Sequence, residues 1–193
     1  MQRPEAYRTD PAFLNELPIN ADGIEITAGA YCRTYEVSPF RRVEEKLNKC
    51  LQEYCGVTLP GTSGASSSEQ FQLLWCRFGA FFLVCPPEVE AAHLGELAKF
   101  SAINEVSDGW IRLIASGERV EMFLQTGVSI DLSQVPEETT FIADFNGMRT
   151  HFYKTTSAYH LRTERSLGSS VVSELQQAVR HFQAVEKFKQ TGR

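Results

Sequence analysis

The stretch SDGWIRLIASGERVEMFLQTGVSIDLS occupies residues 107–133. Asp108–Gly109 is a tight-turn signal. In Trp110–Ala115, both alternating sets are mostly apolar: Trp110, Arg112 and Ile114 on one side, Ile111, Leu113 and Ala115 on the other. That pattern predicts a central strand. Ser116 reads as a helix N-cap with Glu118 in the first turn. Val120, Phe123 and Leu124 form the inner face of that helix, Gly127 stops it, and Val128–Leu132 reads as a short edge-like strand. The result is a compact β–α–β module.

Working outward, the same order of elements occurs earlier in the chain. Gly23–Val37 reads as a strand or bent hairpin broken by Gly29. Ser38 and Pro39 then suit the N-cap and first position of a helix, a cap expected to contribute about 1 kcal/mol. Phe40, Val43, Leu47, Leu51 and Tyr54 form its apolar stripe, and Gly56 ends it. The stops Gly56-Val57-Thr58-Leu59 and Gly127-Val128-Ser129-Ile130 correspond.

LPGTSGASSSEQ reads as a loop. Phe71–Arg77 and Ala80–Cys85 form a hairpin around Phe78–Gly79, and a helix runs from Pro86–Pro87 to about Phe100. Ile103–Val106 is a short strand. In the second half Thr139–Phe145, Met148–Lys154 and Ala158–Thr163 alternate, joined by Asn146–Gly147 and Thr156–Ser157. A final helix over about 170–189 buries Val171, Leu175, Val179, Phe182 and Val185.

The expected fold is therefore α+β: duplicated, ferredoxin-like split β-α-β units with mainly antiparallel sheet. The expected organisation is an extended, proline-bearing arm over 1–22 and one domain over 23–189. That domain is built from two pseudo-repeats, about 23–102 and 103–189.

The 193 residues suffice to bury roughly 70% of the unfolded surface without disulfide or metal. A net charge of −5 argues against nucleic acid and anionic membranes as main partners. MQRPEAYRTDPAFLNELP has no apolar core of a signal peptide, and Ala80–Cys85 is far short of a membrane span. Cys32, Cys50, Cys55, Cys76 and Cys85 are odd in number with no CxxC, which points to reduced thiols and a cytoplasmic location.

Chemistry-bearing patterns are sparse. His93, His151, His160 and His181 form no HxxxH and do not pair with cysteine at ligand spacing. GxSxG, GxGxxG and GxxxxGK[ST] do not occur, and Ser66–Ser67–Ser68 reads as a solvated loop. Glu44–Glu45 and Glu137–Glu138 read as solvated charges. No catalytic, cofactor-binding or metal residue is therefore assigned. Arg149, His160, Arg162 and Arg165 form a basic cluster on one hairpin, whose simplest reading is a charged sheet surface and whose sharper one is a small-anion site. Among Trp75, Phe78, Phe81, Phe141, Phe145 and Phe152, most belong to the core, and any left exposed would mark a partner surface.

Several segments, over roughly 45–185, resemble the sarcosine oxidase gamma subunit family, which is related to the folate-binding domain of aminomethyltransferase, the glycine cleavage T-protein. The residues that carry the resemblance are the 107–133 stretch, Gly56-Val57-Thr58-Leu59-Pro60, Leu74-Trp75 followed by Phe81-Phe82-Leu83-Val84-Cys85-Pro86, and YHLRTERSLGSSVVSELQQAV with its Arg165-Ser166 step. VPEETTFIADF lacks the Pro-Gly entry usual in the family, and the N-terminal arm lies outside the resemblance.

The resemblance implies a subunit with no active site of its own in a heteromeric flavin-dependent N-methyl amine oxidoreductase, of the sarcosine oxidase or N-methylglutamate dehydrogenase kind. FAD, FMN, NAD and tetrahydrofolate then belong to large flavoprotein partner subunits, and none to this chain. The alternative it leaves is a stand-alone tetrahydrofolate-dependent aminomethyltransferase-like or folate-binding protein. Against that, TSAYHLRTERS stands where the folate-binding relatives carry Lys-Gly-Cys-Tyr or Gly-Tyr-Thr-Gly-Glu.

Overall fold

The structure, a computed structural model, describes residues 12–89 and 93–191. These fall into two compact units. One comprises residues up to 29, 108–136 and from 143 onward, and the other 30–107 with 137–142.

The first unit holds strands β1 (Ile19–Ala21) and β2 (Ile24–Ala28), and the second opens with β3 (Arg33–Pro39). Helix α1 (Glu44–Cys55) is followed by β4 (Ala65–Ser67), β5 (Gln72–Arg77), β6 (Ala80–Cys85), α2 (Leu94–Leu97) and β7 (Ser101–Glu105). The 107–133 stretch then gives β8 (Trp110–Ser116) and α3 (Val120–Gln125). Strands β9 (Thr139–Phe145), β10 (Met148–Lys154) and β11 (Ala158–Glu164) precede α4 (Gly168–Thr191).

Two sheets result, in the orders β1-β2-β8-β11-β10-β9 and β4-β5-β6-β3-β7. Read from opposite ends, they match: β2, β8, β11, β10 and β9 stand where β7, β3, β6, β5 and β4 stand in the other. The duplication is thus topological, and its sheets are mainly antiparallel, as the sequence predicts. In one respect the two copies are connected differently. The strand beside β3 is β7, which closes its own half, whereas the strand beside β8 is β2, supplied from near the start of the chain.

In the second unit α1 turns Leu47, Cys50, Leu51 and Cys55 onto a core completed by Tyr35, Val37, Val57, Leu73, Leu83, Cys85 and Leu97. Each fully buried leucine there contributes roughly 2 kcal/mol. Gly56 closes the helix in the left-handed conformation, its N–H bonded to Gln52 O. In the first unit Phe123, Leu124, Val171, Val172, Leu175, Val179 and Phe182 are buried, with Ile111, Leu113, Phe152 and Leu161 of the strands. The hairpin between β9 and β10 turns on Asn146 and Gly147, with φ of 48° and 83°, the left-handed pair that a type I′ turn requires.

Several expectations need correction. Part of the arm over 1–22 lies outside the described residues, but Ala12–Glu16 forms a 3-10 turn and β1 pairs with β2. Gly23–Val37 is neither one strand nor one hairpin, because β2 and β3 belong to different sheets. Neither serine caps its helix: Ser38 and Ser116 are ladder residues, paired with Ala102 and with Glu25 and Ala158. The helices begin later, after Val43 and Arg119, without a side-chain cap. Phe40 is consequently exposed, and so is Val185 on α4.

The loop LPGTSGASSSEQ contains β4, and among the described residues the helix expected from Pro86 to about Phe100 is the single turn of α2. Helix α3 ends at Gln125, before Gly127, where a side chain would run into the Phe145 ring. Val128–Leu132 is not a strand. The Gln125 carboxamide donates to Ile130 O at 2.7 Å and accepts from Leu132 N at 2.7 Å, taking groups that a sheet ladder would use.

Candidate functional site

The six-stranded sheet places basic and aromatic residues in register on one face. His151 of β10 lies opposite Arg162 of β11, which lies opposite Arg112 of β8. The neighbouring row sets Tyr153 against His160 and His160 against Ile114. Strand alternation puts these residues on the same side of the sheet. Gly29 continues the first row: its N–H bonds to Arg112 O at 2.8 Å, and a Cβ there would collide with the Arg112 side chain. The glycine leaves room for the guanidinium to lie across the strand.

The electrostatics of this face decide the state of His160. The His160 ring stacks on Tyr153, with centroids 5.6 Å apart and an interplanar angle of 27°. Burial, and then Arg112 and Arg162, push its imidazole down to about 4. His160 is therefore neutral at pH 7, a stacking group rather than an acid. Arg162 is only 4% exposed, and His151 is equally buried.

Of the basic cluster read from the sequence, His160 and Arg162 come together on this face. Arg149 sits exposed near the start of β10, and Arg165 lies beyond β11 in a 3-10 turn. The sequence reading missed Arg112 and His151. Arg112 is one of the alternating residues of the 107–133 stretch, and only its register with Arg162 reveals the row.

On the opposite face a second polar group fastens α3 to the sheet. Glu121 accepts from the Tyr159 hydroxyl at 2.6 Å and from Lys154 Nζ at 2.8 Å, and the same Nζ donates to Leu132 O at 2.9 Å. The Lys154 and Tyr159 hydrogen bonds hold the Glu121 carboxyl below its usual range. Burial, followed by the Glu121 bond, pushes the Tyr159 hydroxyl strongly up. The carboxylate is held charged and the phenol neutral, so the arrangement is a clamp.

The remaining sequence candidates have structural roles. Ser68 Oγ donates to Cys55 O at 2.7 Å, and Ser66 Oγ accepts from Thr58 N at 3.0 Å. Glu44 and Glu45 occupy the first turn of α1, where negative charge suits the helix dipole. The five cysteines are free thiols, and burial pushes Cys55 and Cys85 up to about 11. Among the described residues, no three His, Cys, Asp or Glu side chains are placed to hold a metal ion. No described helix is long and apolar enough to cross a membrane. Of the aromatics, Phe145 and Phe152 are buried, while Phe78 is 95% exposed at its hairpin tip. Between α3 and α4 lies an open groove of about 510 Å³, lined by Met122, Ala178, His181, Phe182 and Val185 among others.

No family model matches the chain, and no curated protein matches it. Solved structures do. A chain of the heterotetrameric sarcosine oxidase from Corynebacterium sp. U-96, solved in complex with pyrrole 2-carboxylate, superposes with a TM-score of 0.73 at 14% identity. The match covers 86% of this chain and 88% of that one. The glycine cleavage system aminomethyltransferase T from Bartonella henselae superposes with a TM-score of 0.57 at 11% identity, over 79% of this chain and 45% of that one. At such identities the likeness is one of backbone architecture. The chain has the α+β fold, related to that of the T-protein, of a heterotetrameric sarcosine oxidase subunit.

Proposed function

We propose that the chain is a gamma-type subunit, without an active site of its own, of a heteromeric flavin-dependent N-methyl amine oxidoreductase resembling sarcosine oxidase or N-methylglutamate dehydrogenase. It packs on a large flavoprotein subunit in the cytoplasm, and FAD, FMN, NAD and tetrahydrofolate belong to the partner subunits. The observation that carries this reading is the near-complete overlap with a chain of a heterotetrameric enzyme: 86% of one and 88% of the other. That overlap is with a subunit-sized polypeptide rather than with a fragment of a larger catalytic chain.

Co-expression tests the proposal. Tagged chain produced with the large flavoprotein subunits of such an oxidoreductase should retain them through affinity and size-exclusion steps, with flavin absorbance in the same peak. A permanent interface of this kind often exceeds ~2,000 Å², so the complex should survive dilution. A chain that never retains a flavoprotein would sink the reading.

The likeness to aminomethyltransferase T over 79% of this chain favours a second reading, binding of a reduced folate by the chain alone. Calorimetric titration of the isolated chain with 5-formyltetrahydrofolate separates the two: saturable heat supports the folate reading, and its absence supports the subunit reading.

A further inference from the structure

The five-stranded sheet leaves two aromatic rings in water at one end. Strands β3 and β6 are antiparallel, with Val37 opposite Phe81. The end of β3 that leads into Phe40 is therefore the end where the β5–β6 hairpin turns on Phe78 and Gly79. Phe78 is 95% exposed and Phe40 is 47% exposed. They stand about two strand spacings apart, roughly 10 Å. Together they leave on the order of 300 Å² of apolar surface in solvent, the scale of patches that mark contact sites.

The backbone holds both residues in place. Phe40 N–H donates to Phe100 O at 2.9 Å, one step beyond the Pro39–Ser101 pair of β3 and β7. Arg42 then takes a left-handed φ of 65°, uncommon away from glycine. Phe78 lies between Arg77 and Ala80, which pair across the hairpin, and the turn is closed by Gly79 at φ 70°. Anchors already fixed in the free protein lose little freedom on binding.

Cations border the rings. Arg41 and Arg42 are exposed, and neither enters an ion pair among the described residues. Arg77 Nη2 donates to Glu36 at 2.6 Å, with the Arg77 side chain 58% exposed. Glu44 and Glu45, which follow on α1, are set against the N-terminal end of that helix. The border keeps an excess of positive charge on a chain whose net charge is −5.

Aromatic and arginine side chains side by side are the anchors of protein interfaces. A second copy of the chain is a poor occupant, because a two-fold contact through this patch sets arginine against arginine. The fitting occupant is a different protein, with apolar recesses for the rings and carboxylates for the arginines. We propose that this end of the five-stranded sheet is the seat of the large flavoprotein subunit, through an acidic, recessed surface of that partner. The inference rests on the subunit reading and adds to it the face used and the chemistry of the surface met.

The test is tagged full-length chain co-expressed with the large flavoprotein subunits, read as flavin retained in the affinity eluate. Phe78→Ser should lower the retained flavin at least about tenfold. Arg41→Glu combined with Arg42→Glu should do the same, and the wild-type complex should loosen as salt is raised. Arg180→Glu, an exposed position on α4, should change nothing. The circular dichroism melts of all variants should match the wild type, since the substituted side chains are exposed. A wild-type chain that retains no flavoprotein removes the subunit reading and this seat with it. A wild-type complex that is unaffected by Phe78→Ser and by the double arginine reversal overturns the seat alone and leaves the subunit reading standing. Self-association of the chain through Phe78, with the flavoprotein still retained by the Phe78→Ser variant, would also overturn it.

Discussion

Arg162 on β11 stands directly opposite Arg112 on β8, and His160, two residues earlier on β11, carries the consequence. Like charges paired across strands oppose any further positive charge nearby. The folded imidazole titrates near 4, against 6.5 for an unperturbed one. Between those values the unfolded chain takes up a proton that the folded chain refuses. His160 therefore favours folding fully above about pH 6.5, and that advantage is lost as pH falls toward 4. Partial exposure limits the effect to about 1–2 kcal/mol. Urea denaturation at pH 7 and pH 5 checks it. The loss of stability between the two should be smaller in His160→Gln than in the wild type, and equal losses would contradict the argument.

Glu121 joins two strands to a helix through a single oxygen. Removing its charge with Glu121→Gln leaves Lys154, largely buried, without its carboxylate partner. The expected cost is about 1–2 kcal/mol, discounted because Glu121 is itself partly exposed. Tyr159→Phe should cost about 1 kcal/mol, since Glu121 keeps Lys154. The two changes share one acceptor, so the double variant should lose less than the sum of the singles. The carboxyl is held below its usual range, so its contribution is present above about pH 4.5 and disappears as pH falls further. Strict additivity in chemical denaturation would show that the groups are not coupled.

Much of the fold was legible in local pattern. The hairpins at Phe78–Gly79 and Asn146–Gly147, the central position of β8 and the inner faces of α1, α3 and α4 follow from alternation, turn chemistry and helical spacing. The errors were systematic and occurred at equivalent places in both halves. Ser38 and Ser116 carry a good cap side chain, yet sheet pairing claims both backbones, so each strand runs through its serine and the helix starts late. The partners of those strands lie far away in sequence, Glu25 for Ser116 and Ala102 for Ser38, and local propensity carries no trace of them. The basic row was half legible for the same reason. His160 and Arg162 alternate within one strand, whereas Arg112 and His151 join them only through register.

Strand β2 covers the edge of β8 over Glu25–Ala28, burying Ile24 and Ile26. A chain beginning at Gly29 would expose that ladder as an unpaired edge flanked by apolar residues, which promotes association. Such a truncation should shift from a defined peak to aggregate in size-exclusion chromatography. A well-behaved product starting at Gly29 would show that β2 is dispensable.

The thiols give the last prediction. Burial pushes Cys55 and Cys85 up to about 11, which leaves about one part in a thousand as thiolate at pH 8. Burial likewise raises Cys50, with the nearby Glu96 and Glu53 carboxylates adding to it, and Cys76 is enclosed. Cys32 alone is partly exposed. Native protein mixed with a disulfide reagent at pH 8 should therefore release one equivalent of chromophore quickly, and the other four only after denaturant is added. Cys32→Ser should abolish the fast phase and leave the slow one unchanged. Rapid modification of two or more thiols in the folded chain would mean that the cores around Cys55 and Cys85 open far more readily than their packing implies.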